Sequence, residues 1–191
     1  VGAQTDFIFE GASLAIHPNG IIHKELNWFE TDYQAIKLEQ LAEHAENTET
    51  HDKYGVTAKI HDALVLGLRD FFRKLNFEKA ILGLSGGIDS SVALAVASEA
   101  LGNDRIRVLM MPSAYSSEGS VSDSEQLAKN LGVHYDIVPI QDVLHSFIET
   151  LNPLFKDTGQ DVTEENLQAR IRGTMLMAVS NKFGNILLNT S

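Results

Sequence analysis

The chain has 191 residues, 43% of them hydrophobic, and 15 Lys and Arg against 26 Asp and Glu, a formal net charge of -11. That length buries a core of one domain or one and a fraction, and the acid excess excludes a protein that tracks nucleic acid through a basic stripe, so an anionic ligand must be gripped locally. The absence of cysteine excludes disulfides, thiolate metal sites and a cysteine nucleophile within these residues, and makes the reducing cytoplasm the expected compartment. No apolar run reaches membrane-spanning length, so no membrane partner is expected. The sequence opens on Val1-Gly2 with neither an initiator Met nor a signal pattern and stops after an apolar run, so both ends read as cut.

From Asp6 to Glu25, short apolar runs flank His17-Pro18-Asn19-Gly20, whose Pro and Asn-Gly supply turn geometry, and a β-hairpin is expected there. Glu30 to Lys53 is polar and acidic with few apolar anchors, the composition of a solvated connector. A domain boundary is expected in it, with residues 1–50 on one side and 51–191 on the other. Ile60, Leu64, Leu68, Phe71 and Leu75 then recur at helical spacing, and the pattern becomes one of alternating strands and helices. Lys79 to Leu84 reads as a buried strand, Ser90 to Leu101 as a helix stopped by Gly102, and Ile106 to Met111 as a strand. Ser122 to Leu131 reads as a helix stopped by Gly132, His134 to Ile140 as a strand, and Gln141 to Leu151 as a helix. A longer helix opens at Asp161, whose carboxylate can cap it while Glu164 reaches back, and runs to Lys182 before Gly184 and a strand at Asn185 to Leu188. Strands separated by helices imply an α/β fold with a doubly wound parallel sheet, Rossmann-like in its winding.

The stretch with the most chemistry is Gly83, Leu84, Ser85, Gly86, Gly87, Ile88, Asp89 and Ser90, between an apolar strand and the start of a helix. Paired glycines allow close backbone approach, serines add hydroxyl donors, and the helix turns its positive end toward bound oxygens, so the loop suits a phosphate or pyrophosphate. It is neither GxxxxGK(S/T), because no Lys follows the glycines, nor GxGxxG. A plain glycine-rich turn is the competing reading, as a helix cap is for Asp89. The seven histidines lack metal-site spacing in His51-Asp52 and His61-Asp62 and read as surface residues, and Met110, Met111, Met175 and Met177 read as core.

The string Ser85-Gly86-Gly87-x-Asp89-Ser90 resembles the SGGxDS signature of the ATP pyrophosphatase (adenine nucleotide alpha hydrolase) superfamily. Met111-Pro112-Ser113 with Ser116 to Asp123, and Glu165-Asn166-Leu167-Gln168-Ala169-Arg170-Ile171-Arg172, resemble stretches of NAD+ synthetases. This resemblance implies that Gly83 to Ser90 and Thr190 bind ATP, that Asp89 holds Mg2+, and that Asn166 and Arg170 bind deamido-NAD+, with Arg172 structural and the serines of 116–123 in a supporting role. It implies ATP-dependent amidation of deamido-NAD+ through an adenylate, releasing AMP and pyrophosphate, and a homo-oligomer. The first residues, Val1 to Asp6 and Glu10 to Ser13, resemble the last strands of a nitrilase-like glutaminase, which implies glutamine as the ammonia source. The glutaminase triad and a downstream metal-contacting Glu of the family lie outside this sequence, so no catalytic side chain is assigned and the piece alone is expected to be inactive. Another amidotransferase of the superfamily, similar to GMP synthetase, a tRNA-thiolating enzyme, or a nucleotide-binding module without turnover are the rival readings.

Overall fold

Apolar runs that alternate with capped helices wind the second part of the chain into a parallel sheet. The computed structural model describes residues 1–4, 6–42, 55–114, 116–156, 158–159 and 161–190, and its packing divides into two units, Val1–Leu75 and Asn76–Ser191. The second half of the expected connector, the expected boundary at 50/51, and the His51-Asp52 pair lie outside the described residues.

The first unit holds two small antiparallel sheets and a long helix. β1 (Gly2–Gln4) pairs with β2 (Phe7–Phe9), and β3 (Leu14–Ile16) pairs with β4 (Ile22–Glu25). The second pair is the expected hairpin: His17 N–H donates to Ile21 O at 2.8 Å and Gly20 N–H to His17 O at 2.9 Å, with Gly20 at φ +85°. The expected connector also carries a short helix, α1 (Leu38–Ala42). His17 departs from the surface reading, because it is buried at 7% exposure. Its Nδ1 lies 3.2 Å from Leu41 O, and its Nε2 lies 3.0 Å from His23 Nδ1, so neighbouring polar groups replace the water it loses.

Helix α2 (Val56–Leu75) is the helix expected from the spacing of Ile60, Leu64, Leu68, Phe71 and Leu75. Within that series Ile60, Leu64, Phe71 and Leu75 stand about half exposed and Leu68 is intermediate, while Val65, Leu66 and Phe72 are buried. The buried stripe carries an acid: Asp70, 4% exposed, accepts the Ala3 N–H at 2.8 Å and pairs with Arg73 at 2.9 Å and Lys74 at 3.6 Å. Lys74 also donates to Ala3 O. These bonds join β1 to α2 across 67 residues of sequence.

In the second unit, β5 (Ala80–Gly83), β6 (Ile106–Met110), β7 (His134–Ile137) and β8 (Ile186–Leu188) form one parallel sheet in the order β7-β6-β5-β8. Ala80, Ile81 and Leu82 have no exposed surface. A strand covered on both faces needs apolar residues at every position, which is why β5 reads as a run and not as an alternation. Helix α3 (Ile88–Leu101) links β5 to β6 and α4 (Glu118–Leu131) links β6 to β7. Helices α5 (Gln141–Leu151) and α6 (Val162–Phe183) intervene before β8 and close a core of Leu109, Ile140, Leu144 and Ile171. From β5 the chain steps to β6 and β7 on one side, then returns to place β8 on the other, so the winding reverses between β5 and β8. The doubly wound α/β fold expected from the strand and helix order is the fold observed.

Local chemistry sets the helix ends. Asp161 accepts the Thr163 N–H at 2.7 Å while its own N–H reaches Glu164 at 2.9 Å, the expected capping box. Gly132 and Gly184 close α4 and α6 in the left-handed conformation, whereas Gly102 ends α3 at φ +93°, ψ 144°, outside it. Helix α4 starts a turn earlier than its apolar pattern suggests, because Ser117 caps it by accepting the Ser120 N–H at 3.1 Å. Ser117→Ala is expected to lower stability by about 1 kcal/mol, read as a lower urea midpoint at unchanged slope. Among the methionines, Met110 and Met111 are buried and Met175 packs on the core, but Met177 is 45% exposed. No helix among the described residues is long and apolar enough to cross a membrane.

Candidate functional site

Open α/β sheets bind ligands beyond the carboxyl ends of their strands at the point where the winding reverses. Here that point lies between the ends of β5 and β8, and it opens into a cavity of about 380 Å3, within the size range of small-ligand sites. Gly83, Leu84 and Ser85 enter it from the end of β5, Ser90 from α3, and Thr190 from the end of β8. Met110, Met111 and Pro112 form an apolar wall, and Ser116, Ser120 and Ser124 face it from the start of α4.

The loop after β5 is held by its own hydroxyls. Ser90 Oγ donates to Gly87 O at 3.0 Å and accepts the Ser85 N–H at 3.3 Å; Ser85 Oγ accepts the Gly87 N–H at 3.3 Å; Ser91 Oγ donates to Gly87 O at 2.9 Å. Leu84 N–H donates to Leu109 O at 3.1 Å and continues the ladder into the loop. The residue before α3 is Gly87, with no side-chain cap, so the first-turn N–H groups have no acceptor within the helix and form an anion-binding end. Gly86 sits at φ +84°, and a Cβ there would lie 2.7 Å from Ser120 O, 2.8 Å from Ser120 Cβ and 2.9 Å from Ser120 Cα. The loop therefore rests against the first turn of α4.

Asp89 is exposed in the first turn of α3 and makes no hydrogen bond or ion pair among the described residues. It does not cap the helix. A free carboxylate beside an anion loop has the hard oxygen that Mg2+ takes together with phosphate oxygens and water. Gly86, Gly87, Ile88 and Asp89 border the loop without lining the cavity, whose walls include the other loop residues and Thr190.

Asn166 and Arg170 share the exposed face of α6, where Arg170 Nη1 donates to Asn166 O at 3.1 Å. They do not line the cavity. Arg172, read from sequence as structural, does line it: Nε donates to Met111 O at 3.1 Å and Nη2 to Ser113 Oγ at 3.4 Å, and burial lowers its pKa. A second depression of about 500 Å3 shares Ser116 and Arg172 with the first and is bordered by Asp161, Glu164, Glu165 and Gln168. The signal for Arg172 was its four-residue spacing from buried Gln168, which puts both on the inner side of α6.

A strand, a glycine and serine loop with open N–H groups, and a helix at the reversal point define an α/β domain of the doubly wound type with an open loop where such folds take ligands. Residues 60–191 match the NAD synthase family. The chain belongs to that family. It is 41% identical over 192 aligned positions to the glutamine-dependent NAD(+) synthetase of Acinetobacter baylyi, covering 100% of this chain and 35% of the relative. The glutamine-dependent NAD+ synthetase of Acinetobacter baumannii, solved in complex with adenosine diphosphate, superposes with a TM-score of 0.87 at 42% identity, over 100% of this chain and 36% of that one. An NH3-dependent NAD synthetase from Campylobacter jejuni superposes with a TM-score of 0.62 at 28% identity, over 70% of this chain and 56% of that one. The chain thus spans about a third of the length of the glutamine-dependent relatives it matches.

Proposed function

We propose that the chain carries the ATP-binding part of a glutamine-dependent NAD+ synthetase. The observation that carries this reading is the Ser85-Gly86-Gly87-x-Asp89-Ser90 loop, held by its own hydroxyls at the reversal point of the sheet. In this reading Gly83 to Ser90 and Thr190 hold ATP, the N–H groups at the start of α3 meeting the pyrophosphate end and the Met110 to Pro112 wall lying along the rest of the nucleotide. Asp89 holds Mg2+, which when bound offsets the charge of the phosphates. Asn166 and Arg170, on the exposed face of α6, hold deamido-NAD+.

In the proposed reaction, a nicotinate carboxylate oxygen of deamido-NAD+ attacks the α-phosphorus of ATP, and the bond from that phosphorus to the bridging oxygen breaks to release pyrophosphate. Ammonia then adds to the adenylated carbonyl carbon; AMP leaves with the former carboxylate oxygen, and the nitrogen loses a proton to give the amide. The protein's part is to position the two nucleotides and to meet charge on the departing pyrophosphate with fixed N–H donors. Residues 1–50 are proposed as the end of a nitrilase-like glutaminase unit with its connector, and 51–191 as the start of the synthetase unit. The relatives' name supports glutamine as the ammonia source. A cytoplasmic homo-oligomer belongs to the same reading, and the acid excess of the chain disfavours the tRNA-modifying relatives.

Isothermal titration with ATP, Mg2+ and deamido-NAD+ tests it. ATP binding is expected to need Mg2+ and to weaken about tenfold or more in Asp89→Ala; deamido-NAD+ binding is expected to be lost in Asn166→Ala. ATP binding that ignores both Mg2+ and the Asp89 change overturns the metal assignment, and a folded chain that takes up no ATP overturns the nucleotide site.

A further inference from the structure

Parallel strands exchange hydrogen bonds on alternate residues, so the carbonyls of β6 point in turn to β5 and to β7. On the β5 side Leu109 O accepts the Leu84 N–H at 3.1 Å; on the β7 side Met110 O and Pro112 O accept the N–H groups of Val138 and Ile140 at 2.8 and 3.0 Å. By this alternation the next carbonyl facing β5 is Met111 O. The register sets Gly83 opposite Leu109, so in a continuing ladder its donor would be the N–H of Gly86, two residues beyond Leu84. The strand has ended by then, and Gly86 has turned to φ +84° and lies against Ser120. Met111 is buried at 8% exposure, and a buried carbonyl left without a donor costs free energy. Arg172 takes the vacant place: its Nε donates to Met111 O at 3.1 Å from the inner side of α6.

No acid holds the guanidinium there. Asp161, Glu164 and Glu165 border the neighbouring depression together with Arg172, yet none forms an ion pair with it among the described residues, and burial is the influence that shifts its pKa. Its partners are the Met111 carbonyl and, at 3.4 Å, the Ser113 hydroxyl. Met111, Pro112 and Arg172 line the same cavity. The segment is fixed toward β7 by Ile140 and by Gln141, whose Oε1 accepts the Ala114 N–H at 3.1 Å. Toward β5 it is Arg172 that fixes it.

We infer that Arg172 is a positioning residue of the nucleotide site: by supplying the N–H that β5 no longer offers, it sets where Met111 and Pro112 stand, and with them the wall along which the base and ribose of ATP lie. The inference rests on the ATP reading of this cavity. It gives Arg172 no contact with the phosphates, which the loop after β5 meets.

A glutamine amide nitrogen stands the same number of bonds from Cα as arginine Nε, so Arg172→Gln keeps a donor for Met111 O without the charge. Arg172→Met and Arg172→Leu keep an apolar body without a donor. Isothermal titration of each variant with ATP and with inorganic pyrophosphate, both with Mg2+, separates the wall from the loop. ATP affinity is expected to fall about tenfold in the two donorless variants and to stay within about threefold of wild type in Arg172→Gln, while pyrophosphate affinity changes by less than about twofold in all three. A residue that merely stabilises the fold would weaken both ligands alike, and one that acts through its charge would leave Arg172→Gln as weak as Arg172→Met. Unchanged ATP affinity in the donorless variants, a glutamine variant as weak as they are, an equal loss for pyrophosphate, or failure of both donorless variants to fold each overturns the inference. A wild-type chain that takes up no ATP is recognisably a failure of the ATP reading itself, and the role of Arg172 falls with it.

Discussion

Gly86→Ala is expected to abolish measurable ATP binding while leaving the helical content of the chain intact. Two effects combine at this position. At φ +84° an L side chain costs roughly 1–2 kcal/mol, and the new methyl would sit 2.7–2.9 Å from three atoms of Ser120, two of them backbone. Backbone in the first turn of a capped helix cannot rotate aside as a side-chain tip can, so the loop itself must move away from α4. Displacing the loop by a fraction of an ångström misaims the N–H groups proposed to meet the phosphates, and a misplacement on the order of 1 Å is worth about a hundredfold. Isothermal titration with ATP and Mg2+ checks the loss and circular dichroism checks the fold. Gly132→Ala is the control: its φ is +67°, with no atom within 4 Å of the added methyl, so it carries strain without the clash. The control is expected to lower stability and leave ATP affinity unchanged. Wild-type affinity in Gly86→Ala would mean that the contact with Ser120 does not position the loop.

Asp70→Ala is expected to cost the first unit about 1–3 kcal/mol, the range for leaving a buried donor without its acceptor, since Arg73 and Lys74 are themselves largely exposed. The change leaves the Ala3 N–H without its acceptor and removes the partner of Arg73 and Lys74. Trp28 is the single tryptophan of the chain and lies in this unit, so its fluorescence during urea unfolding reports this change directly. The same experiment has a defined pH dependence. The Ala3 N–H, ahead of Arg73 and Lys74, holds the Asp70 carboxyl below its ordinary value against the opposing effect of burial. A carboxyl whose folded pKa is depressed stabilises the fold above its unfolded value, roughly pH 4, and loses that contribution as pH falls through the folded value. The gap between wild type and Asp70→Ala is therefore expected to be full at neutral pH and to narrow below about pH 4. A gap of constant size down to pH 2 would show that the Asp70 charge contributes nothing and that the loss comes from packing alone.

The proposed nucleotide loop was legible because its chemistry is local. A glycine pair, serines that bond to backbone two to five residues away and a helix that starts at once all occupy one short stretch, and the strand before it reads as buried because it is apolar at every position. The same holds for the Asp161 and Glu164 capping box, for the hairpin at His17 to Gly20, and for the alternation that fixed a parallel, doubly wound sheet. For the loop, the capping box and the hairpin the partners lie within a few residues of one another, and for the sheet the order of strands and helices restricts the winding, so residue type and spacing determine the outcome.

What lay beyond the sequence involves partners far apart along the chain. Periodicity marked Ile60, Leu64, Leu68, Phe71 and Leu75 as helical but did not say which face is buried; that stripe is Val65, Leu66, Asp70 and Phe72, where β1 meets α2 and the Ala3 N–H donates to the Asp70 carboxylate. Asn166 and Arg170 stand out in the motif of α6, but the helix turns Arg172 into the cavity, where two bonds to the segment after β6 hold it. Nothing near Gly86 in sequence reveals that Ser120 lies against it, and nothing near His17 reveals the carbonyl of Leu41 that accompanies its burial. The sequence by itself determined the elements, their caps, the winding of the sheet and the loop at its reversal point. Tertiary structure alone decided which side of each helix is buried and which distant side chains reach the cavities, since those depend on the competition of every apolar and polar group for the same enclosed space.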